Sequence, residues 1–422
     1  MTYKLYGRPN KIVIHGGPGA PGSVSSLARE LDDCIEIYNY GQSIKVQLQE
    51  IHEIVKAFKM KAPVLIGHSW GAWLAFLYAA NYPTSKIILI GCGAFKASYL
   101  DLMNQRRQQK LTSDELTDVD AFFSKIAKNE EIELSYFGRL MTKMDSYELS
   151  HYDDELLFFD MKGFHMLMDE LCILRRHGAL LEMSKTIHAE VVVIHGKDDP
   201  HPYEGVVEPF TEIGLKYRIH LIDRCGHTPW CEKYARAEFY QIIKEELKYL
   251  FQSDRLGFRT LSIGDKKFFR QMNAKAEVMK YFPNILDETA SDAFLSRIIN
   301  NYKKDGFGLY GVELIESGKL LGFIGLSRPS FEKEFVPCIE IGWRLDQRYW
   351  RQGYAKEGAL RVLNYGFEVL KLTEIVSFTA GINTPSIAVM KSIGLKYVKN
   401  FVHPSVEGPL KEHVLYKIER SS

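Results

Sequence analysis

The chain has 422 residues, of which 46% are hydrophobic and 25% are charged. This length exceeds what one hydrophobic core usually holds, so we expect two or three domains. The formal net charge of +1 argues against a protein that binds nucleic acid over its whole surface. Residues 1–250 carry 29 basic and 34 acidic side chains, whereas residues 251–422 carry 25 and 19. The second half would suit an anionic ligand better than the first, although so small an excess is common on ordinary surfaces.

The cysteines and the N-terminal residues indicate a soluble protein in a reducing compartment. The six cysteines form no C-x-x-C pair, so the sequence predicts neither a disulfide framework nor a metal site. Residues 1–11 contain no apolar core of signal-peptide length, and no apolar run approaches the ~20 residues of a membrane span. We therefore expect a cytoplasmic protein that acts on small molecules without membrane or nucleic acid. The sequence does not define its oligomeric state.

Residues 1–250 alternate short apolar runs with helical patterns. This alternation predicts an α/β fold with a mostly parallel sheet that helices cover on both faces. Residues 96–185 interrupt it with a helix-rich, acidic stretch, which predicts a lid over the C-terminal edge of the sheet. The runs that predict buried strands are KIVIH (11–15), CIEIYNY (34–40), APVLIG (62–67), KIILIG (86–91), EVVVIHG (190–196) and YRIHLID (217–223).

A closing helix, EKYARAEFYQIIKEELKYLF (232–251), and the restart of the apolar pattern after QSDRLG predict two domains, 1–250 and 254–422. The second domain shows an α+β pattern rather than strand–helix alternation. In chain order it predicts helices over 265–281 and 290–304, a hairpin turning at 316–318, the strand PCIEIGWRL, a helix over 354–370, the strand EIVSFTA, a short helix and closing strands.

The stretch HGGPGAPGS (15–23) follows the first predicted strand and allows two interpretations. Gly17, Gly19 and Gly22 spell G-x-G-x-x-G, a pattern of loops that bind a dinucleotide pyrophosphate. Pro18 and Pro21, however, remove two N–H donors and disfavour a phosphate-binding helix start. We favour a loop that stabilises an oxyanion, with the dinucleotide loop as the alternative.

GHSWG (67–71) lies where a predicted strand turns into a predicted helix. It matches the nucleophile elbow G-x-S-x-G, in which Ser69 projects from a sharp turn and the flanking glycines relieve crowding. The helix N-terminus also directs free N–H groups at developing negative charge. The motif alone is short, so its place between strand and helix is what makes it informative.

A serine nucleophile needs a base, and the base needs a group that orients it. Asp199 follows the strand EVVVI and His227 follows the strand YRIHL, so both fall at the sheet edge that carries Ser69. The chain order serine, aspartate, histidine is that of α/β hydrolases. Asp198 is the rival acid, and Asp199 is favoured because it lies three residues after Gly196.

Residues 11–250 resemble α/β hydrolases, nearest to the proline-iminopeptidase-like branch, in which HGGPG and S-W-G occur together. The resemblance implies that the backbone of Gly17 and Trp70 forms the oxyanion hole. It also leaves two interpretations of the acidic lid, which includes Asp153, Asp154 and Glu155. The lid would form a solvated helix face or, as in aminopeptidases of this branch, bind a substrate amine through residues that the sequence does not single out.

A second motif, RYWRQGYAKEGALRVL (348–363), follows the strand CIEIGWRL and opens a helix. Consecutive N–H groups of Arg351, Gln352, Gly353, Tyr354 and Ala355 would form a nest for a pyrophosphate at the helix N-terminus. No Walker lysine follows, so the pattern argues against a nucleotide hydrolase.

Residues 254–420 resemble the GNAT acyltransferase superfamily through GFIGLS, EIGWRL, YWRQGYAKEG and NTPSIAVMKSIGLKYV. The nearest branch acetylates N-terminal or side-chain amines. The resemblance implies acetyl-CoA as co-substrate, with its pyrophosphate on residues 351–355 and its pantetheine arm paired along the strand near Leu345. Asn383 matches the family's contact to the CoA arm.

Glu340, on the strand beside the cofactor, is our candidate general base of the transferase, directly or through water. The alternative is a structural carboxylate paired with Arg344 or a lysine. Many family members carry a tyrosine acid where this chain has Met390, so Ser386 or water is left to protonate the leaving thiolate.

These observations favour a bifunctional enzyme, a serine hydrolase of a small ester or amide joined to an acetyl-CoA-dependent N-acetyltransferase. The alternative is an acetyltransferase whose hydrolase fold is a silent binding or scaffold module. A non-enzymatic interaction protein is the third possibility, which the intact set of Ser69, Asp199 and His227 disfavours.

Overall fold

The computed structural model describes residues 2–127, 134–151 and 160–420. The lid residues Asp153, Asp154 and Glu155 lie outside the described residues. The chain divides into two compact units, Met1–Leu247 and Lys248–Ser422. The predicted fold class is confirmed: an α/β sheet with a helical lid comes first, and an α+β fold follows.

The sheet of the first unit has seven strands in the order β1-β3-β2-β4-β5-β6-β7 among the described residues. Every neighbouring pair is parallel except β1 with β3. The central strands are buried on both faces, which explains why their sequences are continuous apolar runs. The strands are β1 Tyr3–Tyr6, β2 Lys11–Ile14, β3 Cys34–Ile37, β4 Val64–His68, β5 Lys86–Ile90, β6 Glu190–Gly196 and β7 Tyr217–Ile222.

The helices of the first unit cover the sheet, and α4 to α8 form the lid, inserted between β5 and β6. Helix α3 is buried over almost its whole length, so it shows no polar stripe in the sequence. The helices are α1 Ser25–Leu31, α2 Ile44–Ala57, α3 Trp70–Asn81, α4 Leu100–Gln108, α5 Ser113–Ala127, α6 Leu134–Asp145, α7 Met161–Arg176, α8 Ala179–Glu182, α9 Glu204–Glu212 and α10 Arg236–Lys248.

The sheet of the second unit has the order β14-β15-β13-β12-β11-β10-β9-β8 among the described residues. Its pairs are antiparallel except β12 with β13, which are parallel and share a single residue pair, Glu340 with Val376. The two strands therefore splay apart beyond that point. The strands are β8 Phe251–Gln252, β9 Leu256–Arg259, β10 Leu309–Leu314, β11 Leu320–Ser327, β12 Glu340–Leu345, β13 Glu374–Ala380, β14 Lys396–Val402 and β15 Glu412–Glu419.

Helices of the second unit differ from the predicted ones in two places. The predicted helix over 265–281 is two helices, because Lys275 adopts an extended conformation between them. The predicted helix over 354–370 is α-helical only to Asn364, and Tyr365–Val369 forms a π-helical turn. The helices are α11 Lys266–Asn273, α12 Ala276–Met279, α13 Glu288–Asp305, α14 Tyr354–Asn364 and α15 Thr384–Ser392.

Phe251, which the sequence places at the end of the closing helix, starts strand β8 instead. Its ring stacks on Phe258 and on Tyr365, with ring centroids 4.7 and 4.2 Å apart. Packing against these distant aromatic rings outweighs the local helical pattern. No helix in the described part of the chain is long and apolar enough to cross a membrane.

Candidate active sites

Ser69 sits at a strained turn between β4 and α3. Its φ of +52° and ψ of −110° lie where non-glycine residues are rare. A Cβ on Gly67 would lie 2.1 Å from the carbonyl oxygen of Gly71, and a Cβ on Gly71 would lie 2.3 Å from that of Ile14. Both glycines are therefore required by close backbone contact, as a nucleophile elbow needs.

Asp199 and His227 form a buried hydrogen-bonded pair at the C-terminal ends of β6 and β7. Asp199 Oδ2 accepts from His227 Nδ1 at 2.8 Å. Asp199 Oδ1 accepts from the backbone N–H of His201 at 2.9 Å and lies 3.0 Å from His201 Nδ1. Since a carboxylate only accepts, this pairing leaves Nε2 of a neutral His227 ring as the basic nitrogen.

The electrostatics of this pair suit a general base. Burial disfavours the charged form of His227, but the Asp199 carboxylate, by charge and hydrogen bond, outweighs it and raises the pKa of His227. Burial disfavours the Asp199 carboxylate in the same way, yet His227, His195 and His201 hold the pKa of Asp199 well below its usual range. Asp199 is thus the carboxylate bonded to the imidazole, and the rival Asp198 makes no such bond.

His201 is a neighbour of the base that the sequence did not single out. Its ring stacks on that of His227, with centroids 4.3 Å apart and planes inclined by 26°. Burial, followed by the nearby His227, lowers the pKa of His201 to about 4, so it stays neutral at physiological pH. Asp199, His201 and His227 also bring three possible metal-ligand atoms within 4.8 Å of one another, and the Asp199 carboxylate is within hydrogen-bond distance of both imidazole rings.

His68, the last residue of β4 and the residue before Ser69, contacts the loop that carries His227. His68 Nε2 lies 2.9 Å from the His227 carbonyl oxygen, and the two imidazole centroids are 4.8 Å apart. Within the part of the chain that the structure describes, Ser69 Oγ has no hydrogen bond to the His227 ring. Such catalytic hydrogen bonds often form fully only when substrate is bound.

The HGGPG loop lies against the nucleophile. A Cβ on Gly16 would lie 3.4 Å from Ser69 Cβ, and Gly17 has a φ of +52°. Trp70 is the first residue of α3, so its N–H has no carbonyl one turn earlier to bond. The loop at Gly16 and the N-terminus of α3 therefore border Ser69, and Gly17 is the next residue of that loop.

Glu232, another residue that the sequence did not single out, ties the histidine loop to the lid. Its fully buried carboxylate accepts from the N–H groups of Gly226 and Tyr147 at 2.9 Å each and of Glu148 at 2.8 Å. The His227 N–H donates to the Asp145 carbonyl oxygen at 2.7 Å. The loop that carries His227 is thereby fixed to the end of α6.

We expect the substitution Glu232→Gln to loosen this connection. A glutamine offers one oxygen in place of two and points an N–H₂ at backbone donors, which leaves buried N–H groups unsatisfied. Hydrogen exchange at the amides of Tyr147 and Glu148 should accelerate by about 10-fold or more, as a lost bond of about 1.4 kcal/mol predicts. The exposed Glu212→Gln is the control, and equal exchange in both variants would contradict this role of Glu232.

In the second unit, residues 351–355 form a concave turn that leads into α14. Arg351 and Gly353 have φ values of +61° and +82°. Among the described residues, no carbonyl or side chain accepts from the backbone N–H groups of Arg351, Gln352 and Gly353. The Arg255 guanidinium lies 4.5 Å from the centre of the Tyr354 ring and is paired with Glu357, whose Oε2 is 2.6 Å from Arg255 Nη2. This arrangement is a backbone nest for an anion.

The backbone N–H of Leu345 faces the gap between β12 and β13. The Asp346 N–H donates to the Leu321 carbonyl oxygen at 2.8 Å on β11, and successive residues of a strand face opposite neighbours. Trp350 Nε1 donates to the Leu345 carbonyl oxygen at 2.8 Å. The Leu345 N–H is thus turned toward the splay, where an extended ligand arm would pair.

Glu340 begins β12 opposite Ser327. Burial raises the pKa of Glu340 to about 8, and the Ser327 hydroxyl partly offsets this effect. In the described residues Glu340 forms no ion pair; Arg344 instead packs over Phe282 and donates to Asn273 Oδ1 at 2.8 Å. The structure therefore does not show the alternative pairing of Glu340 with Arg344.

Asn383 and Met390 frame the last helix of the transferase fold. The Asn383 side chain caps α15, accepting from the Ser386 N–H at 3.3 Å and donating to Thr379 Oγ1 at 2.8 Å. Met390, at the position where the resemblance implies a tyrosine acid, is buried with 1% of its surface exposed. Ser386 is partly exposed, so Ser386 and water both remain candidates for the acid.

Known families match both halves of the chain. Residues 12–239 match the Alpha/beta hydrolase family, and residues 255–396 match the Acetyltransferase (GNAT) domain. The chain belongs to the alpha/beta hydrolase family and carries a GNAT acetyltransferase domain after it. Both predicted superfamily resemblances are confirmed, whereas the proline-iminopeptidase-like branch stays a prediction.

Similar proteins are acetyltransferases. The uncharacterized N-acetyltransferase YnaD of Bacillus subtilis is 32% identical over 143 residues, which cover 34% of this chain and 79% of that protein. The FsC-acetyl coenzyme A-N(2)-transacetylase of Aspergillus fumigatus is 47% identical over 62 residues, which cover 15% of this chain and 26% of that protein. Among solved structures, a GNAT-family acetyltransferase from Bacillus anthracis is 28% identical, covers 40% of this chain and 96% of that chain, and has a TM-score of 0.34.

Proposed function

We propose that the chain is a bifunctional enzyme, a serine hydrolase of a small ester or amide joined to an acetyl-CoA-dependent N-acetyltransferase of a primary amine. The observation that carries the hydrolase half is the strained Ser69 elbow beside the buried His227–Asp199 pair. The hydrolase half depends on the nucleophile Ser69 and the transferase half on the proton acceptor Glu340, so the two halves are tested separately.

In the hydrolase site, His227 Nε2 would take the Ser69 proton as Oγ bonds to the carbonyl carbon of the substrate. Asp199 holds the ring tautomer and stabilises the imidazolium. The N–H groups of Gly17 and Trp70 would stabilise the oxyanion. His227 then donates the proton to the leaving group, and a water molecule attacks the acyl-serine by the same route.

A fluorophosphonate probe tests this half directly, since it labels only an activated serine. We expect the folded full-length chain to be labelled at Ser69 and the Ser69→Ala variant to remain unlabelled. Among the described residues, Ser69 Oγ forms no hydrogen bond to the His227 ring, which favours a second candidate, a silent hydrolase fold that serves as a scaffold for the transferase. Folded protein that the probe never labels would support that candidate.

In the transferase site, acetyl-CoA supplies an activated acetyl group that an unprotonated amine attacks. Glu340 would accept the proton of the amine, directly or through water, and a β12 N–H would polarise the thioester carbonyl. The nest over Arg351–Ala355 would hold the pyrophosphate, the Leu345 N–H would pair with the pantetheine arm, and Asn383 would contact that arm beside α15. Ser386 or water would protonate the departing thiolate.

We expect Gly353→Ala to weaken acetyl-CoA binding by about 10-fold, measured by isothermal titration. An alanine at a φ of +82° is strained by roughly 1–2 kcal/mol, and relief of that strain would rotate the N–H groups of the nest. Gly318→Ala is the matched control, because Gly318 has a φ of +65° in a hairpin turn away from the nest. Equal affinities in the two variants, or no heat with the wild-type chain, would contradict the assigned nest.

A further inference from the structure

A cavity of about 580 Å³ lies in the first unit, beside the buried Asp199. Its walls come from α4, from the end of α6 with the residues that follow it, and from the loop after β6. Two acidic residues, Asp198 and Asp199, line it. Its cationic lining residues are twice as many, namely Arg106, Lys110, Lys143 and Lys197.

Two of these cations are already balanced by carboxylates at the rim. Lys143 Nζ lies 2.6 Å from Glu115 Oε1, and Lys197 Nζ lies 2.6 Å from Asp223 Oδ1. Both ion pairs are partly or largely exposed, so water and salt screen them.

Arg106 and Lys110 are not balanced in this way. Among residues 2–127, 134–151 and 160–420, neither has a carboxylate within ion-pair distance. Lys110 Nζ instead donates to the carbonyl oxygens of Ser146 and Asp198, at 2.8 and 3.1 Å. The two residues are four positions apart on and just after α4, so they lie on the same side of that helix.

The two acids in the cavity wall, Asp198 and Asp199, form no ion pair with Arg106 or Lys110 among the described residues. The Asp199 carboxylate is bonded to His227 and His201, and His195 Nε2 lies 3.3 Å from its Oδ2. A partly buried guanidinium and ammonium without a carboxylate partner favour an anionic ligand. The lid sequence as a whole is acidic, which suggested that it binds a substrate amine. This cavity instead has more cationic than acidic lining residues.

We infer that the cavity beside Asp199 binds the carboxylate or phosphate oxyanion of a small molecule, through Arg106 and Lys110. Arg106 offers a planar fork suited to two oxygens, and Lys110 offers a fixed point charge. Asp199 lines the same cavity, so a bound anion would further stabilise the His227 imidazolium. The binding itself does not rest on the proposed hydrolase activity, whereas its effect on His227 does.

Citrate and inorganic phosphate serve as probes, titrated calorimetrically into the full-length chain at low ionic strength. Coenzyme A is present throughout, at a concentration that saturates its own heat of binding. We expect saturable binding that Arg106→Gln weakens by about 10-fold, in line with the loss of a charge-assisted hydrogen bond. Arg176→Gln, which removes an exposed arginine of α7, is the matched control and should change the affinity less than 2-fold.

The Ser69→Ala variant separates this inference from the proposed hydrolase, because it should bind the anion as the wild type does. If citrate or phosphate inhibits in competition with the hydrolase substrate, the site binds an anionic group of that substrate. If either probe raises the pH midpoint of hydrolase kcat/KM without competing, the anion is a separate effector. Equal affinity in Arg106→Gln and Arg176→Gln, or no binding by either probe, would overturn the inference.

Discussion

The Asp199→Asn variant is expected to lower kcat of the hydrolase by about 10⁴-fold, the size of effect seen when the acid of a serine triad becomes an amide. Asparagine can donate to His227 Nδ1, which would favour the tautomer with its proton on Nε2. That nitrogen then cannot accept the Ser69 proton. The measurement is steady-state hydrolysis of a small ester. The ester is chosen because it competes with the fluorophosphonate probe for Ser69.

Asp198→Asn is the matched comparison, since the neighbouring carboxylate makes no bond to His227. We expect it to lower kcat by a few-fold at most. In the wild type, kcat/KM should rise with pH through a midpoint above the usual range of imidazole, because Asp199 raises the pKa of His227 and only the neutral ring is a base. Similar losses in both variants would contradict the assignment of Asp199.

The Glu340→Gln variant is expected to lower kcat of acetyl transfer by about 10²- to 10⁴-fold, the usual range for loss of a general base. Wild-type kcat should rise as the pH passes about 8, because burial raises the pKa of Glu340 to that value and only its carboxylate accepts a proton. The variant should lose this midpoint. The measurement is thiol release from acetyl-CoA with a primary amine, over a range of pH.

The exposed Glu419→Gln is the control for Glu340, with wild-type kcat expected. The pH dependence of the free energy of unfolding gives a second test, which reports on the protonation of Glu340 independently of catalysis. Because the pKa of Glu340 is raised on folding, its protonated form contributes stability below the unfolded pKa, and this contribution is lost as the pH rises through about 8. Glu340→Gln should therefore lose less stability than the wild type between about pH 5 and pH 8, the interval between the unfolded and the folded pKa of Glu340. An unchanged kcat and an unchanged midpoint would remove Glu340 from the proposed mechanism.

The buried strands of the first unit were predictable because both of their faces are covered. Such strands must be apolar throughout, and KIILIG and EVVVIHG show it directly. Strand β1 was missed because it is short, lies at the sheet edge and keeps half of its side chains exposed. The position of β8 depends on Phe258 and Tyr365, which no local pattern around Phe251 reveals.

In the candidate sites, too, residues within a local sequence motif were predictable and residues placed by distant contacts were not. Ser69 was predictable because its turn requires glycines at fixed spacing, and residues 351–355 because a glycine precedes a helix start. His201 and Glu232 were not, because their roles arise where separate loops meet, and neither sits in a spaced motif. A carboxylate five residues after the predicted base was the one signal for Glu232, and it is too common to interpret alone.

The tie between α6 and the histidine loop restricts how molecules reach Ser69. A Cβ on Gly226 would lie 2.4 Å from the Asp145 carbonyl oxygen, so the two backbones are in direct contact. If this end of the lid swung outward, the His227 N–H would lose its acceptor and Glu232 would release its donors. An opening of the lid at that end would therefore release the loop that holds His227 before substrate binds. If the proposed hydrolase is active, its substrate therefore enters and leaves past a different part of the lid, and this end of the lid stays in place as an anchor.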